Sequence, residues 1–138
     1  MKPLLALALL AAACGSDASA NEARLLLDRI DGLGTPDLVE RRRRIEAFEA
    51  MPLRDPRAVE LRDACAPMHA ALLVADESAV EAREAVDARA EGDGEAGQRA
   101  IAALARGQEA VEQVQQLRDG CQSRLDQFNA RYTRRRER

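Results

Sequence analysis

The stretch "LRDACAPMHAALLVADESAVEAREAV", residues 61–86, decides the fold of this chain. Apolar or small residues recur along it at alternating steps of four and three, the spacing of a helix that packs lengthwise against another helix. The residues of this row are Leu61, Cys65, Met68, Leu72, Ala75, Ala79, Ala82 and Val86. The pattern predicts one long helix. The pair Asp55-Pro56 is a typical start signal, so we expect the helix to run from there to about Glu91.

A second row with the same spacing follows in a helix predicted from about Ala96 to Arg135. Its residues are Ala100, Leu104, Gly107, Val111, Val114, Arg118, Cys121, Leu125, Phe128 and Tyr132. The sequence "GDG", residues 92–94, separates the two rows and is typical of a turn. If the chain reverses at Asp93, residues whose numbers add to 186 lie level, so that Ala79 faces Gly107. The two rows predict an antiparallel hairpin of two long helices.

Cys65 and Cys121 fall on the same level of this predicted hairpin. Antiparallel helices pack about 8–10 Å apart, and each Cα atom lies about 2.3 Å from its helix axis. Facing Cα atoms are then roughly 4–6 Å apart, within the range that a disulfide spans. We therefore expect a Cys65–Cys121 disulfide in an oxidising compartment, contributing roughly 4 kcal/mol in the chain-entropy description.

Two shorter helices are predicted before the hairpin. Residues 21–33 suit a first helix, and "TPD" begins a second helix that runs to about Met51, with Thr35 as its N-cap and Pro36 at its first position. The residues expected to face inward are Leu26, Ile30, Leu33, Leu38, Ile45 and Phe48. The predicted fold class is all-α: the hairpin with two shorter helices packed on it, a small helical bundle over residues 21–138.

The N-terminal sequence "MKPLLALALLAAAC" has one positive charge, Lys2, and then an apolar run too short to span a bilayer. Here the chain resembles bacterial lipoproteins. In that class a short signal ends in Leu-(Ala/Ser)-(Gly/Ala)-Cys, and the cysteine is lipidated and becomes the first residue. The match is "LAAAC", in which Ala11 stands where the class usually has leucine. The resemblance implies a signal peptide over residues 1–13 and a lipidated Cys14.

We expect residues 14–20 to be a short tether between that anchor and the helical domain. Gly15 after the cysteine is what the class associates with the outer membrane, on its periplasmic side, in a Gram-negative host. The resemblance thus implies an extracytoplasmic protein held at a membrane by lipid. The alternative is an ordinary cleaved secretory signal with a small-residue site at 18–20.

One cluster of residues hints at metal chemistry. Cys65, Met68, His69 and Cys121 carry ligand types that suit zinc or Cu(I), and Cys65-x-x-Met68-His69 is similar to a c-type haem attachment motif. Met68 also fits the heptad row, and an oxidising compartment favours the disulfide over thiolate ligands. We therefore predict no metal and no cofactor. Pro67 would either bend this helix or divide it into two pieces.

The composition of the chain excludes or disfavours several classes of function. Lys2 is the only lysine, which excludes lysine Schiff-base chemistry and a P-loop lysine from the chain after residue 13. No combination of nucleophile and base is recognisable, and the net charge of −3 with three aromatic residues disfavours nucleic-acid binding. We expect a non-enzymatic structural or interaction role, through an envelope partner or self-association. The alternative is a small bundle that binds a metal or an apolar ligand.

Charge is segregated along the predicted hairpin. Residues 76–95 hold eight acids and two arginines, whereas residues 118–138 hold seven arginines and three acids. We expect the arginine-rich end to contact an anionic surface. The residues expected to make this contact are Arg131, Arg134, Arg135, Arg136 and Arg138. The alternative is a solvated helix end, where arginine is favoured by the helix dipole.

Overall fold

Four α-helices make up the described part of the chain, which confirms the predicted all-α bundle. The computed structural model describes the backbone of residues 11–136 and the side chains of residues 19–132. The helices are α1 (Ala11–Asp31), α2 (Leu38–Glu49), α3 (Pro56–Ala90) and α4 (Ala96–Arg136), with a 3-10 turn at Gly32–Gly34. Helices α3 and α4 form the long antiparallel hairpin, and α1 and α2 pack against α3.

The hairpin reverses at residues 91–95, as the sequence predicts. Gly92 has a φ of 103°, a left-handed conformation that favours glycine because a Cβ atom is strained there. The Asp93 carboxylate accepts hydrogen bonds from the backbone N–H groups of Glu95 at 2.9 Å and Ala96 at 3.2 Å. It thereby satisfies donors that would be free at the start of α4. We call this end of the hairpin the turn end. The opposite end, where α3 begins at Pro56 and α4 reaches Tyr132, is the open end.

The start of α2 differs from the prediction. Asp37, not Thr35, is the N-cap, and its Oδ1 atom accepts from the backbone N–H groups of Val39 at 2.9 Å and Glu40 at 3.0 Å. Pro36 therefore precedes the helix instead of occupying its first position. A carboxylate at the cap adds a negative charge next to the positive end of the helix dipole, which a threonine hydroxyl does not supply.

The large apolar side chains are buried between α1, α2 and the part of the hairpin nearer the open end. The predicted inward positions Ile30 and Ile45 are buried, and Leu38 packs at the edge of the core. The largest side chains that are almost fully buried are Phe48, Leu26, Leu33, Leu61 and Cys65. Burial of a leucine or phenylalanine contributes about 1.5–3 kcal/mol each, so most of the hydrophobic stabilisation lies in this half of the molecule.

Residues 14–20, the predicted tether, lie within α1, which begins at Ala11 and continues through them. Two features favour the helix. Alanine, frequent in this stretch, has the highest helix propensity. Ser19 is also fixed by hydrogen bonds to other helices, so this turn is held by tertiary contacts.

The contact row of the hairpin differs from the prediction at its turn-end half. Ser78 and Ala85 are buried in place of Ala79 and Val86, and Val86 is 58% exposed. On α4 the predicted Leu104, Val111 and Arg118 are exposed. Their preceding neighbours Ala103 and Ala110 are buried, and Leu117 is half-buried.

Close approach of the two helices explains this shift. A Cβ atom placed on Gly107 would lie only 3.3 Å from the Cβ atom of Ser78, so little space separates the backbones there. Serine, alanine and glycine fit such an interface, whereas leucine and valine side chains do not. The larger apolar residues therefore lie beside the contact row, on the surface.

Candidate functional site

The predicted disulfide is present in the structure. Cys65 and Cys121 are joined by an S–S bond of 2.02 Å, and their Cα atoms are 4.6 Å apart, within the predicted 4–6 Å. Both residues are buried in the contact row of the hairpin. Because the sulfur atoms are bonded to each other, neither is a thiolate that could bind the metal considered with Met68 and His69. No group of three or more His, Cys, Asp and Glu residues in the described region is arranged to hold a metal ion.

The residues next to the disulfide have structural environments. Met68 packs against the core, and Pro67 is exposed on α3, which is one continuous helix from Pro56 to Ala90. His69 is half-buried, and its pKa is lowered by burial and then by the nearby positive charge of Arg41. His69 is therefore neutral at neutral pH, as a packed residue on the flank of the contact row.

A hydrogen-bonded cluster at the open end joins three helices. The Tyr132 hydroxyl of α4 donates to Oδ2 of Asp55 at 2.7 Å, and the Ser19 hydroxyl of α1 donates to the same atom at 3.3 Å. The hydrogen bond from Tyr132 is the main reason that the pKa of Asp55 lies below its ordinary value, and the backbone N–H of Arg57 lowers it further. Asp55 is the predicted cap of α3, with Oδ1 accepting from Arg57 N–H at 2.9 Å. Its links to Ser19 and Tyr132 were not predicted.

The sequence contains a signal for one of these contacts, that between Asp55 and Tyr132. Asp55 and Tyr132 are nearly level in the register that pairs Cys65 with Cys121, so their proximity follows from the hairpin alone. Ser19 could not be placed because no sequence pattern sets how α1 lies against the hairpin. Glu22 adds to the same connection, since its Oε1 atom accepts from the backbone N–H groups of Arg54 and Asp55, both at 2.9 Å.

The Ser19 contact shows on which side of the molecule the lipidation candidate lies. Cys14 precedes Ser19 by five residues of the same helix, which is about 7.5 Å of rise. The backbone of Cys14 is therefore close to the open end. Its side chain lies outside the described residues, as does the signal peptide up to residue 10.

The open end also carries the described part of the predicted anionic-surface contact. Arg131 is exposed there, whereas the side chains of Arg134, Arg135, Arg136 and Arg138 lie outside the described residues. Arg131, Arg124 and Arg57 line a groove of about 550 Å³ between α3 and α4. The acidic turn end lies at the other end of the hairpin, so charge is segregated along the molecule.

An exposed apolar row runs along the turn-end half of α4. Ile101, Leu104 and Val111 follow one another at steps of three and seven, which places them on one side of the helix. Ile101 is 62% exposed and Leu104 is 61% exposed. Val111 is 46% exposed, and Val86 of α3 is exposed as well. The sequence signal for this row is its own spacing of three and seven beside the contact row.

No family model matches the chain, and no curated protein or solved structure is significantly similar to it. None of the helices formed by the described residues combines the length and the apolar character needed to cross a bilayer. The function is therefore inferred from the residues of this chain.

Proposed function

We propose that the protein is a lipid-anchored protein of the bacterial cell envelope with a non-enzymatic interaction role. It is extracytoplasmic, and in a Gram-negative host it belongs to the periplasmic side of the outer membrane. The anchor is supported by the resemblance of "LAAAC" to the lipoprotein signal, with Cys14 as the lipidated residue.

The interaction role depends on one observation, the apolar row of Ile101, Leu104 and Val111. Soluble helices normally turn such residues toward a core, so a row of large exposed apolar side chains favours a protein-binding site. The row lies in the half of the hairpin away from the open end, and α4 alone is about 60 Å long. A lipid at Cys14 would leave this row well clear of the membrane, accessible to an envelope protein or a second copy of the chain.

The anchor is tested by mass spectrometry of the protein expressed in its native host. We expect a chain that begins at Cys14 and carries the mass of acyl chains, and we expect Cys14→Ser to release the protein from the membrane fraction. A mature chain that begins at Asn21 would mean that the signal is an ordinary secretory one.

The interaction role is tested by placing a photo-cross-linking amino acid at Leu104 and, as the matched control, at Gln113. Both positions are exposed on α4, but Gln113 lies outside the apolar row. We expect a discrete cross-linked product in intact cells only from position 104, and we expect Val111→Glu to abolish it. Mass spectrometry of the product distinguishes a second copy from another envelope protein. Equal products from both positions would contradict a specific apolar interface.

A further inference from the structure

We propose that the groove at the open end binds the phosphate groups of anionic lipid head groups and so fixes the orientation of the protein at the membrane. This inference rests on the proposed location of the protein at a membrane surface. It adds a ligand class and the residues that would recognise it.

The groove presents two arginines that form no side-chain ion pair within the part of the chain that the structure describes, although Arg57 also lies near the charge of Asp55. Arg57 is in the first turn of α3 and Arg131 is near the end of α4, on opposite walls. The third arginine, Arg124, is paired with Glu60, with 2.7 Å between Nη1 and Oε2. By contrast, neither Arg57 nor Arg131 forms a side-chain ion pair with any described residue.

The nearby carboxylates are already bound to other groups. Asp55 accepts from Tyr132 and Ser19, and Glu60 accepts from Arg124. The planar guanidinium groups of Arg57 and Arg131 are therefore left to bind an oxyanion, for which their paired N–H donors are well suited. Phe128, which is buried, contributes an apolar lining between the two walls.

The arrangement of the whole molecule favours a lipid over a dissolved anion. Cys14 lies at the same end as the groove, so a lipid anchor would bring Arg57 and Arg131 to the level of the head groups. The opposite end carries the excess of acids over residues 76–95, which an anionic surface repels. Attraction at one end and repulsion at the other orient the hairpin with its turn end away from the membrane.

The test uses the chain from residue 14 onward with Cys14→Ser, which contains every described side chain and has no acyl anchor. Its binding to vesicles of phosphatidylcholine with phosphatidylglycerol, and to vesicles of phosphatidylcholine alone, is measured by co-sedimentation at low and high salt. The groove variant is Arg57→Gln with Arg131→Gln. The matched control is Arg43→Gln with Arg83→Gln, two exposed arginines on α2 and α3 whose removal changes the net charge equally.

We expect binding only to the anionic vesicles and only at low salt. Each arginine removed from the groove should weaken vesicle binding about fivefold, which corresponds to the about 1 kcal/mol that a basic residue contributes near such a surface. The control variant should change it less than twofold. Circular dichroism checks that the variants are folded. If the double variant does not fold, the single variant Arg131→Gln replaces it in the test.

Four results would overturn the proposal. The first is no binding to anionic vesicles. The second is equal weakening by the control variant, which would show a net-charge effect without a site. The third is loss of vesicle binding when residues 134–138 are removed and Arg57 and Arg131 are kept. This would show that the C-terminal residues 134–138, and not the groove, bind the vesicles. The fourth is competition by millimolar inorganic phosphate at constant ionic strength, which would identify a site for free phosphate instead of lipid. A lipidated protein whose unlipidated form ignores the vesicles would refute the groove and leave the anchor intact.

Discussion

At the scale of single residues, His69 makes the stability of the fold depend on pH. It is the only histidine, and burial followed by the charge of Arg41 lowers its pKa in the folded state below the ordinary value of 6.5. Between the two pKa values the unfolded chain binds more protons than the folded one. The free energy of unfolding therefore falls as the pH drops below about 6.5 and is unaffected by His69 above it.

We expect urea unfolding to show lower stability at pH 5.5 than at pH 7.5, and His69→Gln to remove most of that difference. Asp55 of the open-end cluster has a lowered pKa and loses its stabilising contribution only as the pH falls below the ordinary value of 3.8, well outside this window. If His69→Gln keeps the full pH dependence of the wild-type chain, the histidine is not its source.

At the scale of the helices, two glycines of α4 have opposite expected effects when they are substituted. Gly120 is exposed, with no atom within 4 Å of an added Cβ, so Gly120→Ala should stabilise the protein by about 0.5–1 kcal/mol through helix propensity alone. Gly107 faces Ser78 across the tight contact row. Gly107→Leu should destabilise by about 1–3 kcal/mol because the interface has no room for the side chain.

Chemical denaturation of the two variants provides the measurement. The comparison is informative because both substitutions remove a glycine from the interior of the same helix. A stabilising Gly107→Leu would mean that the hairpin is more loosely packed at its turn-end half than the structure indicates.

The same contact row shows what the sequence could and could not predict. The two long helices, the turn between them and the pairing of Cys65 with Cys121 all followed from spacing, because each depends on the regular geometry of one helix or one hairpin. Spacing did not predict which residues form the contact row in the turn-end half. There, Ala103 precedes Leu104 and Ala110 precedes Val111, so two neighbouring rows have heptad spacing. Hydropathy alone would place the larger residue of each pair in the contact row. Because the two backbones lie close together, only the smaller residue fits there.

The open-end cluster illustrates the other limit of sequence reasoning. The cap role of Asp55 is local and was predicted. The contact with Ser19 depends on how α1 lies across the hairpin, which no periodicity encodes. The groove between Arg57 and Arg131 likewise required the register of α3 against α4 at the last turns, together with knowledge of which arginines were already paired.

At the scale of the whole molecule, the disulfide joins the two long helices. It lies within the half near the open end, where large apolar side chains are buried, and not in the turn-end half, where the contact row consists of small residues. It closes a loop with a sequence separation of 56 residues. In the chain-entropy description this contributes roughly 4 kcal/mol. We expect reduction to lower the midpoint of thermal unfolding by several degrees, and the variant Cys65→Ala with Cys121→Ala to melt at a low temperature that reductant does not change. An oxidised protein that melts at the same temperature with and without reductant would show that the bridge adds no stability.

The difference in packing along the molecule leads to the last prediction, a gradient of local stability. Near the open end, the hairpin is covered by α1 and α2 and contains Phe48, Leu61 and the disulfide. Toward the turn end, the contact row consists of small residues such as Ser78, Ala82 and Gly107, which bury little apolar area at each level. The ion pair between Arg106 and Glu81 is exposed there and adds little. Local opening should therefore cost less free energy at the turn end.

Native-state hydrogen exchange measures this gradient directly. Under oxidising conditions, we expect backbone amides of residues 78–90 and 96–106 to exchange faster than those of residues 58–72 and 117–128, although all four stretches are helical. Reduction should speed exchange in all of them, because the disulfide no longer limits separation of the helices. Val111→Glu should leave the pattern unchanged, since its side chain is exposed in the isolated chain. Uniform protection along α3 and α4 would mean that the small-residue row stabilises the turn end as strongly as the larger core stabilises the open end. In that case the apolar row of α4 would lie on a locally stable part of the hairpin. If the expected gradient is found, the row lies on the part of the hairpin that can most easily change conformation when a partner binds.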